Sequence, residues 1–181
     1  GMKGMPYYNA GVLLIDLNNW RCQNLGKKII SFYKEHEGKL FSNDQDAING
    51  TCKGQILTLS AKYNYYNIFD QYSYRFLSKL CDYPYIDKDV FEDARKHPVI
   101  VHYLGEERPW RKGNHQFKDD YDNYLNMTPW KGMNYEDGWN TYFMAWDTFN
   151  VLTKPFPSLR YHIINALIPA FLNYRAKKVK K

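Results

Sequence analysis

Short apolar runs alternate with segments of helical spacing along the first hundred residues of the chain. The runs occupy residues 12–17, 55–59 and 98–101. The first and third runs are nearly continuous in apolar residues, which is typical of strands buried on both faces of a parallel sheet. The second, Gln-Ile-Leu-Thr-Leu, is typical of a strand. The pattern therefore predicts an α/β fold with strands in these three segments.

Apolar residues at helical spacing predict helices between and after the runs. Asn18 or Asn19 can cap a helix that continues to Gly38, and Ser42 or Asn43 can cap a shorter one. The remaining segments are predicted as a loop at residues 63–67 and as helices at residues 87–96, 114–125, 134–150 and 159–179.

Composition and charge narrow the class of protein. With 181 residues and a hydrophobic fraction of 44%, the chain can bury one substantial core. Its net charge is +6, and five positive charges lie at the C-terminus, on Arg175, Lys177, Lys178, Lys180 and Lys181. A terminal cluster is typical of a solvated tail or of contact with an anionic membrane, so we expect no nucleic-acid partner.

The expected location is cytoplasmic. No apolar run approaches the roughly 20 residues of a membrane-spanning helix, and the first residues lack a secretory signal. Cys22, Cys52 and Cys81 match neither a disulfide framework nor a zinc motif. The last predicted helix mixes apolar, aromatic and cationic residues, and two interpretations remain open: peripheral contact at the inner membrane face, or docking on the domain.

A loop suited to a diphosphate follows the third apolar run. His102 is expected at the carboxyl end of a strand, where open α/β sheets hold their ligands. Gly105 lets the backbone approach a phosphate, and Arg108 supplies a charged fork. A histidine in this position is also commonly a hydrogen-bonded structural residue, so both interpretations stay open for His102.

Three ordered motifs carry a resemblance to a known family. They are Tyr-Asn-Ala-Gly-Val-Leu-Leu-Ile-Asp at residues 8–16, Asp-Gln-Asp-Ala at 44–47, and His-Tyr-Leu-Gly followed by Arg-Pro-Trp within 102–110. In this order they resemble the second half of glycosyltransferase family 8, which contains glycogenin and bacterial lipopolysaccharide galactosyltransferases and glucosyltransferases.

The resemblance implies a fold and a domain organisation. Residues 1–112 are expected to form the C-terminal part of a nucleotide-diphospho-sugar transferase domain, a GT-A, Rossmann-like sheet without its N-terminal nucleotide-binding half. Residues 113–181 are expected to form a helical, aromatic and basic C-terminal extension.

Roles near the diphosphate are implied for three residues by their positions in the motifs. His102 matches the ligand of a divalent metal, usually Mn²⁺ (or Mg²⁺). Gly105 matches the glycine of the phosphate loop. Arg108 stands where the family usually has lysine, which keeps the charge and changes its shape.

Roles near the sugar are implied for the two upstream motifs. Asn9, Ala10 and Gly11 match the segment that lines the donor-sugar pocket. Asp44 and Gln45 match residues close to the anomeric carbon of the transferred sugar and are therefore the candidate catalytic residues.

The implied activity is retaining hexosyl transfer from a UDP-hexose donor to a saccharide, glycolipid or lipopolysaccharide-type acceptor. The family holds its metal with an upstream Asp-x-Asp motif, and residues 44–46 are not that motif because they open a helix after the Asn-Ala-Gly segment. One histidine does not hold Mn²⁺ alone, so we expect no metal binding and little catalysis by this chain by itself. The alternative is a non-catalytic saccharide-binding or assembly module. In either case an unpaired strand edge favours self-association or pairing with a missing N-terminal half.

Overall fold

The described part of the chain is mainly helical. A computed structural model describes residues 6–66, 68–80 and 86–179, in one unit that ends at His102 and a second that starts at Tyr103. The first unit contains α1 (Leu17–Cys22), α2 (Leu25–Glu35), α3 (Asp44–Thr51), a 3₁₀ helix (Ala61–Asn64), α4 (Ile68–Gln71), α5 (Tyr74–Leu80) and α6 (Lys88–Lys96). The second contains α7 (Lys118–Asn126), α8 (Asn140–Thr153) and α9 (Pro157–Val179).

The first predicted helix is present but is divided in two. The carboxylate of Asp16 caps α1 and accepts hydrogen bonds of 3.0 Å from the backbone N–H groups of Asn18 and Asn19. The prediction that Asn18 or Asn19 is the cap was therefore wrong by two or three positions. α2 starts after Asn24, whose φ of 53° lies in the left-handed region. Asparagine tolerates that region better than most residues, which explains why the chain turns there.

A glycine lets α2 and α3 lie close together. A Cβ atom on Gly50 would overlap the ring of Phe32. The helix predicted after Asn43 is confirmed as α3, although the Asn43 side chain makes no capping hydrogen bond. In its place the carboxylate of Asp46, in the first turn, accepts a 2.8 Å hydrogen bond from the backbone N–H of Ser42.

The predicted parallel sheet is absent from the described residues. The segments 12–16, 55–59 and 98–100 lie in turns, bends or irregular backbone, and Leu17 belongs to α1. Within the described ranges the β-pairing consists of one isolated parallel bridge between Tyr65 and Val101.

The physical reason is that a parallel strand needs paired neighbours and covered faces. Many apolar side chains of the three runs are instead exposed, as shown by Leu14 at 86%, Leu57 at 91% and Val99 at 58%. The described residues provide one bridge and no layer that covers these side chains.

Aromatic packing forms the core of the first unit. Phe91 and Ala94 are fully buried on α6, the helix predicted at residues 87–96. The ring of Phe91 lies 5.1 Å from that of Phe69 in an edge-to-face arrangement, and Phe69 lies 5.6 Å from Tyr65. Such ring pairs contribute about 0.5–1.5 kcal/mol each beyond the area they bury. This cluster fixes the backbone at Tyr65, next to the bridge.

A shared cation joins α8 to the segment that precedes α7 in the second unit. The Lys112 ammonium lies 2.8 Å from Glu107 and 2.6 Å from Asp147 on α8. Burial lowers the pKa of Lys112, but the hydrogen bonds to Asp147 and Glu107 outweigh it, so the pKa is raised overall. Lys112 is therefore charged at neutral pH and links two segments of this unit.

The three helices predicted after residue 112 are confirmed with shifted starts. α8 begins at Asn140 rather than at residue 134, because the preceding segment turns at Gly138, whose φ is 85°. None of the helices in the described ranges is long and apolar enough to cross a membrane.

Candidate functional site

The Asn-Ala-Gly motif lies against the first turn of α3. Gln45, the second residue of α3, presents its side-chain oxygen to this segment. The oxygen accepts hydrogen bonds from the Asn9 amide group and from the backbone N–H of Ala10, each 3.0 Å long. Gln45 therefore positions two of the three motif residues.

Asn49, one helical turn further along α3, fixes the residue that precedes the motif. Its side chain is 1% exposed. The amide nitrogen donates to the carbonyl oxygens of Tyr8 and Gln45, at 2.7 and 2.8 Å, and the amide oxygen accepts from the Tyr8 N–H at 2.8 Å. Tyr8 thus exchanges two hydrogen bonds with one side chain, as it would with a neighbouring strand.

His102 reaches the same motif through Asn64. The Asn9 oxygen accepts hydrogen bonds from the backbone N–H of Gly11, at 2.8 Å, and from the Asn64 amide group, at 2.9 Å. The Asn64 oxygen in turn lies 2.9 Å from Nδ1 of His102. A Cβ atom on Gly11 would overlap the His102 imidazole, so only glycine leaves room for the ring.

The bridge explains why Asn64 and His102 meet. His102 N–H donates to the Tyr65 carbonyl oxygen at 2.7 Å, and Tyr65 N–H donates to the Ile100 carbonyl oxygen at 3.0 Å. Asn64 precedes one bridge residue and His102 follows the other, so in this parallel pairing both side chains lie on the same face, where the Asn64 oxygen reaches Nδ1 of His102. The first unit therefore brings Asn9, Gly11, Gln45 and His102 into one site.

A phenol and a carboxylate support the base of this site. The Tyr7 hydroxyl donates to Asp46 and accepts a 3.1 Å hydrogen bond from the Gln45 amide group. The Ser42 N–H and the Tyr7 hydroxyl hold the pKa of Asp46 below its usual value. Burial, with the hydrogen bond to Asp46, raises the pKa of Tyr7.

Asp44 is exposed, whereas Gln45 and Asp46, which follow it, are half-buried. It is the first residue of α3 and lies next to Gln45. A carboxylate here interacts favourably with the N-terminal end of the helix dipole. It is also accessible to a ligand that approaches α3 from solvent.

The predicted phosphate loop belongs to the second unit, and its residues Gly105 and Arg108 are hydrogen-bonded to each other. Gly105 has a φ of 67°, which favours glycine, and a Cβ there would have nothing within 4 Å. The Arg108 Nε donates to the Gly105 carbonyl oxygen at 2.8 Å, and its guanidinium lies 5.4 Å from the centre of the Trp110 ring. The Trp110 ring itself packs against Tyr103 and Tyr121. The guanidinium is therefore held in one orientation by the loop.

Sequence reasoning missed four residues of the site: Tyr7, Asp46, Asn49 and Asn64. Asn49 stands four residues after Gln45, a spacing that places both side chains on one face of a helix. Asn64 lies in a segment predicted to be an irregular loop, where no periodicity points to it. Its importance comes from a long-range bridge that local patterns do not reveal.

The fit to a divalent metal is partial. His102 offers one imidazole, a normal nitrogen ligand for Mn²⁺. Across the described ranges, no three His, Cys, Asp or Glu side chains cluster so that they could hold a metal ion. These residues supply one ligand and do not form a complete site.

Comparison with known proteins finds a family match over the first part of the chain. Residues 2–113 match the family model described as Glycosyl transferase family 8. General stress protein A of Bacillus subtilis is 32% identical over 127 residues, which are 68% of this chain and 42% of that protein. No solved structure matches the chain.

Two further relatives carry transferase names. Lipopolysaccharide 1,2-glucosyltransferase of Escherichia coli is 28% identical over 134 residues, covering 72% of this chain and 37% of the relative. Glycosyltransferase GlyA of Streptococcus pneumoniae is 29% identical over 108 residues, covering 60% of this chain and 14% of the relative. The chain thus spans less than half the length of each of these three proteins.

Proposed function

The chain belongs to glycosyl transferase family 8, and we propose that it is part of a retaining hexosyltransferase with a UDP-sugar donor and a saccharide or lipopolysaccharide-type acceptor. The observation that carries the proposal is the convergence of Asn9, Gly11, Gln45 and His102 in the first unit. These residues come from three separate motifs, and one hydrogen-bonded network joins them.

In this proposal Asn9, Ala10 and Gly11 line the donor-sugar pocket, and Asp44 and Gln45 lie near the anomeric carbon. The Gln45 oxygen already accepts two hydrogen bonds, and its nitrogen donates a third. An amide oxygen is a weak nucleophile, and these bonds direct it toward the motif. Gln45 therefore positions the pocket, while the exposed Asp44 is available to hydrogen-bond sugar hydroxyls as positive charge develops in the transition state.

The motif that spans residues 102–110 supports the proposal that His102, Gly105 and Arg108 act on the leaving diphosphate. A bound divalent cation would stabilise the charge that gathers on the departing UDP. His102 is the proposed ligand among the described residues, and the remaining ligands are proposed to come from an N-terminal half of the Asp-x-Asp type. By this proposal the 181 residues alone have little or no transferase activity.

A non-catalytic saccharide-binding or assembly module is the second candidate. The exposed apolar side chains of Leu14, Leu57 and Val99 favour it, because unpaired apolar segments are suited to association. Their pairing partner is proposed to be either an N-terminal half of the Asp-x-Asp type, which would complete a Rossmann-like sheet, or a second copy of the chain. Peripheral contact of α9 with the cytoplasmic membrane face belongs to the same proposal, and Leu159 and Leu167 are exposed on that helix.

Isothermal titration with UDP in the presence and absence of Mn²⁺ tests the first proposal. We expect no metal-dependent binding by this chain alone at micromolar strength. Binding and release of UDP from a UDP-hexose should appear when the chain is joined to the N-terminal part of general stress protein A.

Two histidine variants of the joined protein give a matched comparison. His102→Ala should abolish Mn²⁺-dependent UDP release, while His97→Ala should preserve it because His97 is an exposed residue of the same unit, paired with Asp93. A folded joined protein that binds UDP and Mn²⁺ yet transfers no sugar would contradict the transferase proposal. Saccharide binding by that protein would then support the second candidate.

A further inference from the structure

We propose that Asn64 is a positioning residue that holds His102 in the tautomer with hydrogen on Nδ1, so that Nε2 carries the lone pair. The role of His102 as a metal ligand rests on the proposed function. The tautomer is a property of this chain and does not depend on that function.

The donor and acceptor of each hydrogen bond in the network can be assigned from one backbone group, the N–H of Gly11. The Gly11 N–H can only donate, and it lies 2.8 Å from the Asn9 side chain. The atom it meets is therefore the Asn9 oxygen. The Asn9 nitrogen then faces the Gln45 oxygen, whose identity is fixed in the same way by the backbone N–H of Ala10.

The same assignment fixes the orientation of the Asn64 amide group. Because the Asn9 oxygen can only accept, Asn64 must present its nitrogen to it, at 2.9 Å. The Asn64 oxygen consequently faces Nδ1 of His102, at 2.9 Å. An amide oxygen has no hydrogen to give, so Nδ1 must carry one.

The reversed arrangement is unfavourable at two places. A flipped Asn64 would set its oxygen against the Asn9 oxygen, and two acceptors would then face each other in a half-buried site. Flipping Asn9 as well would direct its nitrogen at the Gly11 N–H, so that two donors would meet. Leaving such groups unsatisfied costs about 1–3 kcal/mol each, which selects the observed direction.

The consequence concerns the second ring nitrogen. In a neutral imidazole with hydrogen on Nδ1, Nε2 is the basic atom that can bind a metal or accept a hydrogen. Metal-binding histidines commonly have their other nitrogen fixed by an oxygen acceptor of this kind. Gly11 sets the position of the ring and Asn64 sets its tautomer.

Nitrogen NMR of the imidazole tests the inference in the metal-free full chain. At a pH where the ring is neutral, we expect a pyrrole-type ¹⁵N shift at Nδ1 of His102 and a pyridine-type shift at Nε2. The resonances are assigned by their loss in His102→Gln. A wild-type ring with hydrogen on Nε2 would overturn the inference.

Two substitutions at Asn64 separate tautomer control from simple packing. Asn64→Asp keeps an oxygen acceptor for Nδ1 but loses the hydrogen bond to the Asn9 oxygen. At a pH where the ring is neutral, it should therefore keep hydrogen on Nδ1 while the contact with Asn9 is lost. Asn64→Leu removes the acceptor, so hydrogen should move predominantly to Nε2, the tautomer that unconstrained imidazoles prefer. Asn18→Leu, at an exposed position on α1, should change nothing.

Each outcome has a distinct meaning. An Asn64→Leu chain that is folded and keeps hydrogen on Nδ1 would refute the role of Asn64. If Asn64→Leu does not fold, the wild-type and Asn64→Asp spectra still decide the tautomer. Hydrogen on Nδ1 together with a joined protein that binds no Mn²⁺ would reject the metal function while supporting the positioning role.

Discussion

Replacing Asn49 should release the segment that carries the Asn-Ala-Gly motif. Asn49 is 1% exposed and makes three hydrogen bonds, two with the backbone of Tyr8 and one with Gln45. Its alanine variant loses all three and leaves the Tyr8 N–H and carbonyl without this partner. Asn49→Asp keeps one acceptor but turns a carboxylate oxygen toward two carbonyl oxygens, so it should be at least as damaging.

The magnitude follows from the number of bonds and the exposure of their partners. A hydrogen bond contributes about 1 kcal/mol net, which sets about 3 kcal/mol as the upper value for three. Tyr8 is only half-buried, and water can replace part of the loss. We therefore expect local opening to become about 2 kcal/mol easier, or about 30-fold, since 1.4 kcal/mol corresponds to a factor of ten.

Native-state hydrogen exchange measures this local opening directly. The reporters are the amides of Ala10 and Gly11, which donate to Gln45 and Asn9. Their protection should fall in both Asn49 variants, while amides in α6 remain protected. Asn18→Ala, at an exposed asparagine of the same unit, is the matched control. Unchanged protection at Ala10 and Gly11 in Asn49→Ala would refute the reasoning.

Three further changes test separate contacts. Gly11→Ala should displace the imidazole that packs against it and alter the imidazole's NMR resonances, whereas Gly113→Ala, with nothing within 4 Å of its Cβ position, should not. Lys112→Met should destabilise the second unit by about 2–3 kcal/mol, because two carboxylates lose their shared cation. Its raised pKa keeps Lys112 charged from neutral pH into the alkaline range, so denaturation with urea at pH 6 and pH 9 should show the loss at both values; an effect below 0.5 kcal/mol would contradict it. Tyr7→Phe should weaken the first unit at neutral pH but not in acid. The Tyr7 hydroxyl helps to lower the pKa of Asp46, so its hydrogen bond to the carboxylate stabilises the folded unit above the ordinary carboxyl pKa. This stabilisation is lost as the pH falls through the lowered pKa of Asp46 in the folded state. A pH-independent difference in unfolding would count against this pairing.

The helices could be predicted from the sequence because their signals are local. α3 and α6 lie where periodicity and flanking residues place them. The break between α1 and α2 could not be predicted, because it depends on the left-handed backbone of one residue, Asn24, within a segment whose apolar residues keep helical spacing. Asp16 was missed as a cap because it stands at the end of an apolar run predicted to be a strand.

The strands were predicted from a pattern that describes burial rather than pairing. Apolar runs at residues 12–17, 55–59 and 98–101 are suited to a covered sheet, but pairing requires partners that a local pattern does not identify. One partner was found in the aromatic segment predicted to be a loop, where Tyr65 pairs with Val101. The predicted strands and the observed structure differ because strand pairing depends on long-range contacts, which the periodicity of the sequence does not describe.

Part of the site was predicted and part was not, for a similar reason. Gln45 and His102 were identified because they belong to sequence motifs that resemble those of a known family. Asn64 and Asn49 were not, because each acts through a partner 38 or more residues away. Their side chains hold the motif residues in place.

The contacts within the chain explain the first and third residues of the Asn-Ala-Gly motif separately. Asn9 must be an amide, because it donates to Gln45 and accepts from Gly11 and Asn64, and a carboxylate could not donate. Gly11 must lack a Cβ atom because the His102 ring occupies that space. These requirements arise before any substrate binds. A loss of activity in an Asn9 or Gly11 variant would therefore report first on the position of His102, and imidazole NMR of the same variant would show whether the ring had moved.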